Sequence, residues 1–153
     1  MTAIAEVSGG VVQATVEIAA PPETVFRALT EPEQLVAWWG SPDQYQTHGW
    51  QVDLRAGGKW SCQARSAAGA GEVRGEYLAV EAPRLLEYTW EPSWDEYRRT
   101  VVRCTLEPIP GGTLLRLIHR GFVADATAQD HATGWTRVLG WLAGHLDRKD
   151  PAG

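Results

Sequence analysis

The amino-acid sequence predicts a single α+β domain, in which a curved antiparallel sheet of six to seven strands wraps around a long C-terminal helix. Two observations predict this class. Residues 11–20 and most of 45–122 alternate between apolar and polar side chains, which is typical of half-buried antiparallel strands. After Phe122 the apolar period becomes that of a helix about five turns long, which is the one element long enough to cover the sheet.

Turn and cap signals divide the chain into elements. Pro22 and Pro32 are each followed by an acidic residue, which suits the start of a helix, so two short helices are expected after the first strand. The strands that follow are centred on Trp50–Leu54, Trp60–Ala64, Val73–Ala79, Leu86–Trp90, Thr100–Leu106 and Leu114–Gly121. The predicted domain covers residues 11–147, between a flexible N-terminus at 1–10 and a C-terminal tail at 148–153.

Composition excludes several classes of function. The chain has 153 residues and a net charge of −5, without a basic cluster of the kind that binds nucleic acid. The N-terminus lacks the features of a secretory leader, and no apolar run is long enough to span a bilayer. The cysteines and histidines show no metal-ligand spacing. We therefore expect a cytoplasmic protein with reduced thiols and without a metal or cofactor.

The alternation also predicts which side chains face inward. Because a shift of one residue would turn every apolar side chain of a strand outward, this register is strongly specified. The predicted inner face consists of Val16, Ile18, Trp50, Val52, Leu54, Trp60, Cys62, Ala64, Gly75, Tyr77, Leu86, Tyr88, Trp90, Val102, Cys104, Leu106, Leu115, Leu117 and His119. Within this set, His119 is the one group that titrates near neutral pH.

Aromatic side chains are frequent on this face, and the chain has eight Trp against two Phe. Buried indole N–H and phenol O–H groups need hydrogen-bond partners, so their number favours a ligand cavity between sheet and helix over a core that is merely filled with aromatics. The candidate ligand-binding residues are Trp38, Trp39, Trp60, Tyr77, Tyr88, Trp90, Cys104, His119, His131 and Trp135.

Two further features concern the surroundings of this cavity. In the polar loop at 91–99, Trp94 and Tyr97 have no packing reason to be present and are predicted to form a mobile aromatic rim. The alternative is that Trp94 folds back onto the sheet as a satellite cluster. In the last helix, Gly134 precedes core-facing Trp135 and is expected to let another chain segment approach closely.

Catalytic motifs are absent from the sequence: it has no nucleophile elbow, zinc-protease helix, Walker loop or EF-hand loop. If the protein is an enzyme, His119 is the candidate general acid or base, with Tyr77, Tyr88 or His131 as partner. The other interpretation is that His119 hydrogen-bonds inside the core. Since the carboxylates lie mainly on the outer register, the sequence favours binding over catalysis.

Five segments together resemble the START-like (SRPBCC) superfamily, and more narrowly its branch named for activators of the heat-shock-protein-90 ATPase. They are IAAPPETVFRALTEPEQLVAWWG, DLRAGGKW, GEYLAVEAPRLLEYTW, TLEPIPGGTLLRLIHRGF and HATGWTRVLGWLAGHL. The resemblance covers about residues 11–147. It implies a helix-grip fold and a small hydrophobic ligand held between sheet and helix, and it supplies no catalytic motif.

The expected function is therefore the binding of a small, largely hydrophobic ligand, aromatic or polyketide- or lipid-like. The alternatives are an enzyme of cyclase or hydrolase type that uses His119, and a chaperone-interacting module of the ATPase-activator kind. The chaperone is less favoured, because no segment corresponds to the separate chaperone-binding domain that accompanies the namesake domain. Apolar residues that interrupt the outer register (Val101, Leu114, Ile118) and side chains beside the helix core face (Trp141, His145) make a homodimer slightly preferred over a monomer.

Overall fold

One antiparallel sheet of nine strands forms most of the molecule, in a computed structural model that describes residues 3–149. The strands are β1 (Ile4–Ser8), β2 (Val11–Ile18), β3 (Gly40–Ser41), β4 (Tyr45–Val52), β5 (Lys59–Ser66), β6 (Gly69–Glu81), β7 (Leu85–Pro92), β8 (Thr100–Ile109) and β9 (Gly112–Arg120). Their spatial order is β1-β2-β9-β8-β7-β6-β5-β4-β3. The predicted fold class is confirmed, with more strands than the six to seven expected.

The additional strands lie at the two edges of the sheet. Residues 4–8, which the sequence assigned to a flexible N-terminus, pair with β2 through a tight hairpin. Gly9 and Gly10 form its turn with φ of 57° and 76°, the left-handed conformation that two-residue hairpins require. At the other edge, β3 has only two residues, too few to show an alternating pattern. Residues 1–2 of the predicted N-terminus and 150–153 of the predicted tail lie outside the described residues.

Three helices complete the fold: α1 (Pro22–Thr30), α2 (Pro32–Trp38) and α3 (Asp125–Lys149), so α3 includes the first two residues of the predicted tail. Both short helices carry Pro in the first turn, where the missing N–H costs no hydrogen bond. The buried face of α3 includes Val138, Leu139, Leu142 and Leu146, as the helical period predicted. This helix packs mainly against β1 and β2, at one end of the sheet.

The predicted inner register is confirmed over most of the sheet, and side chains such as Val16, Leu117 and His119 are at most 2% exposed. Leu54 is the exception, since β4 ends at Val52 and Leu54 lies 40% exposed in the following turn. The pairing of β4 with β5 shifts between His48 and Gln51. This bulge turns both Thr47 and Trp50 toward the interior, which strict alternation would not allow.

The apolar residues predicted to form an outer patch differ in their exposure to solvent. Ile118 is 36% exposed, whereas Val101 and Leu114 are half-buried. Trp141 contacts the ring of Tyr45 edge to face at 5.6 Å, so it is used within the molecule. The homodimer stays a prediction. Within residues 3–149, no helix is both long and apolar enough to cross a membrane.

Candidate functional site

A cavity of about 550 Å³ lies between α3 and the β4–β6 part of the sheet, a volume in the range of small-molecule sites. Its walls are formed by Trp39, Gln44, Tyr45, Thr47, Trp50, Cys62, Ala64, Arg65, Ser66, Ala68, Gly69, Ala70, Gly71, Val73, Trp90, Trp94, Asp130, His131, Gly134, Trp135 and Val138. The cavity exists because α3 packs on β1 and β2, while the sheet continues past the helix to β4.

Stacked and tilted indole rings form the floor of the cavity. Trp39, directly after α2, lies at the centre: its ring centroid is 5.4 Å from that of Trp50, 6.1 Å from Trp90 and 5.8 Å from Trp135. One ring directly follows α2, two come from the sheet and one belongs to α3. The floor is therefore apolar, and it is the place where α2, the sheet and α3 meet.

Three of these four indoles have their N–H groups paired within the protein. The pairs are Trp39 to Tyr45 Oη at 3.1 Å, Trp50 to Thr47 Oγ1 at 2.9 Å and Trp135 to His119 Nδ1 at 3.0 Å. The fourth, Trp90 Nε1, is shielded from solvent and has no hydrogen-bond partner among the described residues. Since a buried donor without a partner is costly, Trp90 is an anomaly in an otherwise satisfied wall.

His119 is fully buried beneath the floor, and both of its ring nitrogens are bonded. An indole N–H can only donate, so Nδ1 accepts from Trp135, and the ring proton lies on Nε2. Nε2 then donates to Thr100 Oγ1 at 2.6 Å, and Thr100 donates to the Trp90 carbonyl oxygen at 3.3 Å. Burial, and secondarily the nearby His131, hold the pKa of His119 well below its usual range. His119 is thus a neutral structural link that joins α3, β8 and β9.

His131 has a different environment, on the cavity wall near the start of α3. Its Nδ1 lies 2.9 Å from the Thr127 carbonyl oxygen, which can only accept, so Nδ1 carries the proton. Nε2 makes no hydrogen bond to residues 3–149. The ring stands nearly perpendicular to that of Trp90, with centroids 6.4 Å apart. The ring that carries this open nitrogen is therefore a neighbour of the indole whose N–H has no partner.

The mouth of the cavity is bordered by the β5–β6 turn and by Trp94, which lies in a short 3₁₀ turn (Ser93–Asp95) after β7. Trp94 is 60% exposed and rests on Gly71, where an added Cβ would lie 2.8 Å from its ring. Ser93 Oγ accepts the Glu72 backbone N–H at 2.9 Å, and this bond fixes the loop to β6. One side of the mouth is therefore formed by the exposed ring of Trp94, which packs on Gly71.

Seven of the twelve candidate residues do not line the cavity. Of those proposed, the structure places Trp39, Trp90, His131 and Trp135 in the wall and Trp94 at the mouth. The remaining candidates are packed elsewhere. The indole N–H groups of Trp38 and Trp60 donate to the carbonyl oxygens of Ala28 and Thr89, and the Tyr97 hydroxyl donates to Glu72. Tyr77, Tyr88 and Cys104 are buried outside the cavity wall, and His119 lies below the floor.

The sequence candidates omitted several wall residues. Trp50 and Cys62 were placed on the inner face by register, and Tyr45, Val73 and Val138 could have been added from their apolar character. Periodicity assigns a residue to a face, and it does not show which part of that face lies opposite open space. Burial raises the pKa of the Cys62 and Cys104 thiols to about 12, so neither is a ready nucleophile.

A second depression, of about 580 Å³, lies beside the β3–β4 turn and shares Trp39, Thr47 and Arg65 with the first. Its other walls are largely exposed residues of α2 and β4, and it lacks the layer of indole rings. The described residues contain no group of three His, Cys, Asp or Glu side chains arranged to hold a metal ion. The aromatic cavity is therefore the candidate site.

Several solved structures share this architecture. A protein of Chromobacterium violaceum is 23% identical with a TM-score of 0.81, over 91% of this chain and 98% of that one. The AHSA1 protein of Silicibacter pomeroyi is 28% identical with a TM-score of 0.78, over 91% and 99%. A protein of Mesorhizobium loti is 30% identical with a TM-score of 0.75, over 92% and 98%.

No curated protein matches the chain. Residues 19–147 match the family model described as Activator of Hsp90 ATPase homolog 1-like protein. This match runs from the end of β2 to the last turn of α3 and so includes every residue in the cavity wall. The chain belongs to the family of Activator of Hsp90 ATPase homolog 1-like proteins.

Proposed function

We propose that this protein binds a small, largely apolar ligand, aromatic or polyketide- or lipid-like, in the cavity between α3 and strands β4–β6. The observation that carries the proposal is a space of about 550 Å³ floored by the rings of Trp39, Trp50, Trp90 and Trp135. Aromatic floors with few polar groups are typical of sites for apolar ligands, because the binding free energy comes from the apolar area removed from water.

The arrangement of His119 supports binding over catalysis. A general acid or base needs a nitrogen that reaches the substrate, and both nitrogens of His119 are used inside the protein. The cavity is separated from this ring by the indoles of Trp90 and Trp135. An enzyme that uses His119 would have to break a completed hydrogen-bond chain before each turnover.

Gly134 supplies a direct test. It lies in α3 on the cavity wall, and a Cβ at this position meets no atom of another segment within 4 Å. Gly134→Leu would therefore extend a side chain of four carbons from the wall into the cavity. Gly140 lies in the same helix, is exposed and also has no neighbour within 4 Å, so Gly140→Leu is the matched control. Both changes remove a helical glycine, and each should stabilise α3 by up to about 1 kcal/mol.

The probe is N-phenyl-1-naphthylamine, an uncharged dye whose fluorescence rises in apolar surroundings. We expect saturable binding to the wild-type protein and to Gly140→Leu, and affinity at least about tenfold weaker for Gly134→Leu. Polyketides, sterols, fatty acids and flavonoids are then ranked by their displacement of the dye and by the rise in Tm that they cause.

Two outcomes would contradict the proposal. Equal dye binding by all three proteins would show that the dye occupies another surface. If neither the dye nor any compound of the panel binds, while a purified Hsp90-type ATPase is stimulated by the protein, the chaperone-interacting function takes its place.

A further inference from the structure

We infer that the ligand carries a hydroxyl group on its apolar skeleton, and that this group sits between Trp90 Nε1 and His131 Nε2. The inference rests on the proposed function and names the chemical class of its ligand. It starts from the N–H of Trp90, the one buried side-chain polar group without a hydrogen-bond partner within residues 3–149. A protein that pairs the indoles of Trp39, Trp50 and Trp135 internally leaves this one without a partner.

The second observation is the tautomer of His131. Because Nδ1–H donates to the Thr127 carbonyl, the neutral ring presents a lone pair at Nε2. The rings of His131 and Trp90 meet edge to face at an interplanar angle of 85°, and both residues line the cavity. Two neighbouring rings of the wall therefore offer one donor and one acceptor that make no hydrogen bond to the described residues.

A hydroxyl group complements this pair, because it accepts one hydrogen bond and donates another. A carbonyl or ether oxygen accepts from Trp90 and leaves His131 Nε2 without a donor. An apolar ligand leaves Trp90 Nε1 unpaired and shields His131 Nε2 from water, which costs binding free energy. Since solvent does not reach Trp90 Nε1, the side chains that cover this nitrogen must shift when the ligand enters.

Two probes of nearly equal shape test this pairing: 4-phenylphenol, which has the hydroxyl, and 4-methylbiphenyl, which has a methyl group in its place. Their dissociation constants are measured by displacement of N-phenyl-1-naphthylamine from the wild-type protein and from Trp90→Phe, His131→Phe and Trp141→Phe. Trp141→Phe is the control, because it is also a change from Trp to Phe and Trp141 does not line the cavity. Tm measurements establish that each variant is folded.

We expect Trp90→Phe and His131→Phe each to shift the ratio of the two dissociation constants about tenfold toward 4-methylbiphenyl, the effect of losing about one hydrogen bond. Trp141→Phe should leave the ratio unchanged. If both probes bind the wild-type protein and the ratio is the same in all four proteins, the hydroxyl inference is wrong and the proposed function stands. If neither probe nor dye binds the wild-type protein, the proposed function falls together with the inference.

Discussion

Acidification should destabilise this protein through His119 well before its carboxylates titrate. Burial, with a smaller contribution from His131, lowers the pKa of His119 in the folded state. In the unfolded chain the pKa returns to about 6.5. As the pH falls through that value, the unfolded state takes up the proton first. The contribution of neutral His119 is therefore complete above about pH 6.5 and is lost progressively below it.

The magnitude follows from proton linkage. Below the pKa that His119 has in the unfolded chain, the unfolded state binds one more proton than the folded state. The free energy of unfolding then falls by about 1.4 kcal/mol for each pH unit. Between about pH 7.5 and pH 5.5 the loss is about 1.4 kcal/mol, and by pH 5.0 it reaches about 2 kcal/mol. Protonation in the folded state is opposed by geometry, because a proton on Nδ1 would face the N–H of Trp135 at 3.0 Å.

The assay is urea unfolding at a series of pH values, followed by tryptophan fluorescence, for the wild-type protein and His119→Gln. The other histidines and all carboxylates are common to both proteins, so their titration cancels in the difference. We expect the free energies of unfolding to converge as the pH falls, because glutamine takes up no proton. A difference that stays constant from about pH 7.5 to pH 5.0 would refute the assignment of His119 as a buried neutral group.

Three other perturbations test the site and the sheet beneath it. Trp94→Ala should weaken the binding of N-phenyl-1-naphthylamine by about 1–3 kcal/mol in a fluorescence titration, with a smaller loss in the free energy of unfolding. If the free energy of unfolding falls by several kcal/mol instead, Trp94 belongs to the core. Gly75→Ala should lower the unfolding free energy by about 3 kcal/mol or more in urea, because its Cβ would lie 2.0 Å from the Thr89 carbonyl oxygen; wild-type stability would contradict that close approach. Cys62 and Cys104, with thiol pKa values of about 12, should resist iodoacetamide in the folded protein and react in urea, as followed by mass spectrometry. Rapid labelling of Cys62 in the folded protein would show that the packing around this thiol opens.

The sequence predicted which residues face the interior because alternation is a local property of a strand. His119 and Leu117 are buried as the two-residue period requires. Alternation did not predict the bulge in β4, whose one mark in the sequence is Gly49 inside the strand, with a φ of 63°. This bulge decides that Thr47 faces inward and accepts the N–H of Trp50. One hydrogen-bonded pair of the cavity wall was therefore invisible in the pattern.

The sequence also did not show which inward-facing side chains are covered by other residues and which line the cavity. Trp60 and Tyr88 share a face with Trp50, and all three were expected on the inner surface. The structure packs Trp60 against Tyr88 at 5.5 Å and bonds its N–H to Thr89 O, away from the cavity. The position of α3 over β1 and β2 decides which aromatics are covered, and that position depends on contacts between residues more than a hundred positions apart.

The role of Gly134, a glycine inside a helix, could be interpreted only once the fold was known. A glycine inside a helix costs about 1 kcal/mol relative to alanine, so its presence beside Trp135 suggested that another chain segment lies close. That expectation is wrong: a Cβ at this position meets nothing within 4 Å. The same is true of Gly140, where the neighbouring volume is solvent. At Gly134 it is the cavity. A side chain there would fill the space above the indole floor, so the glycine keeps open a volume that the packing of the protein itself does not need.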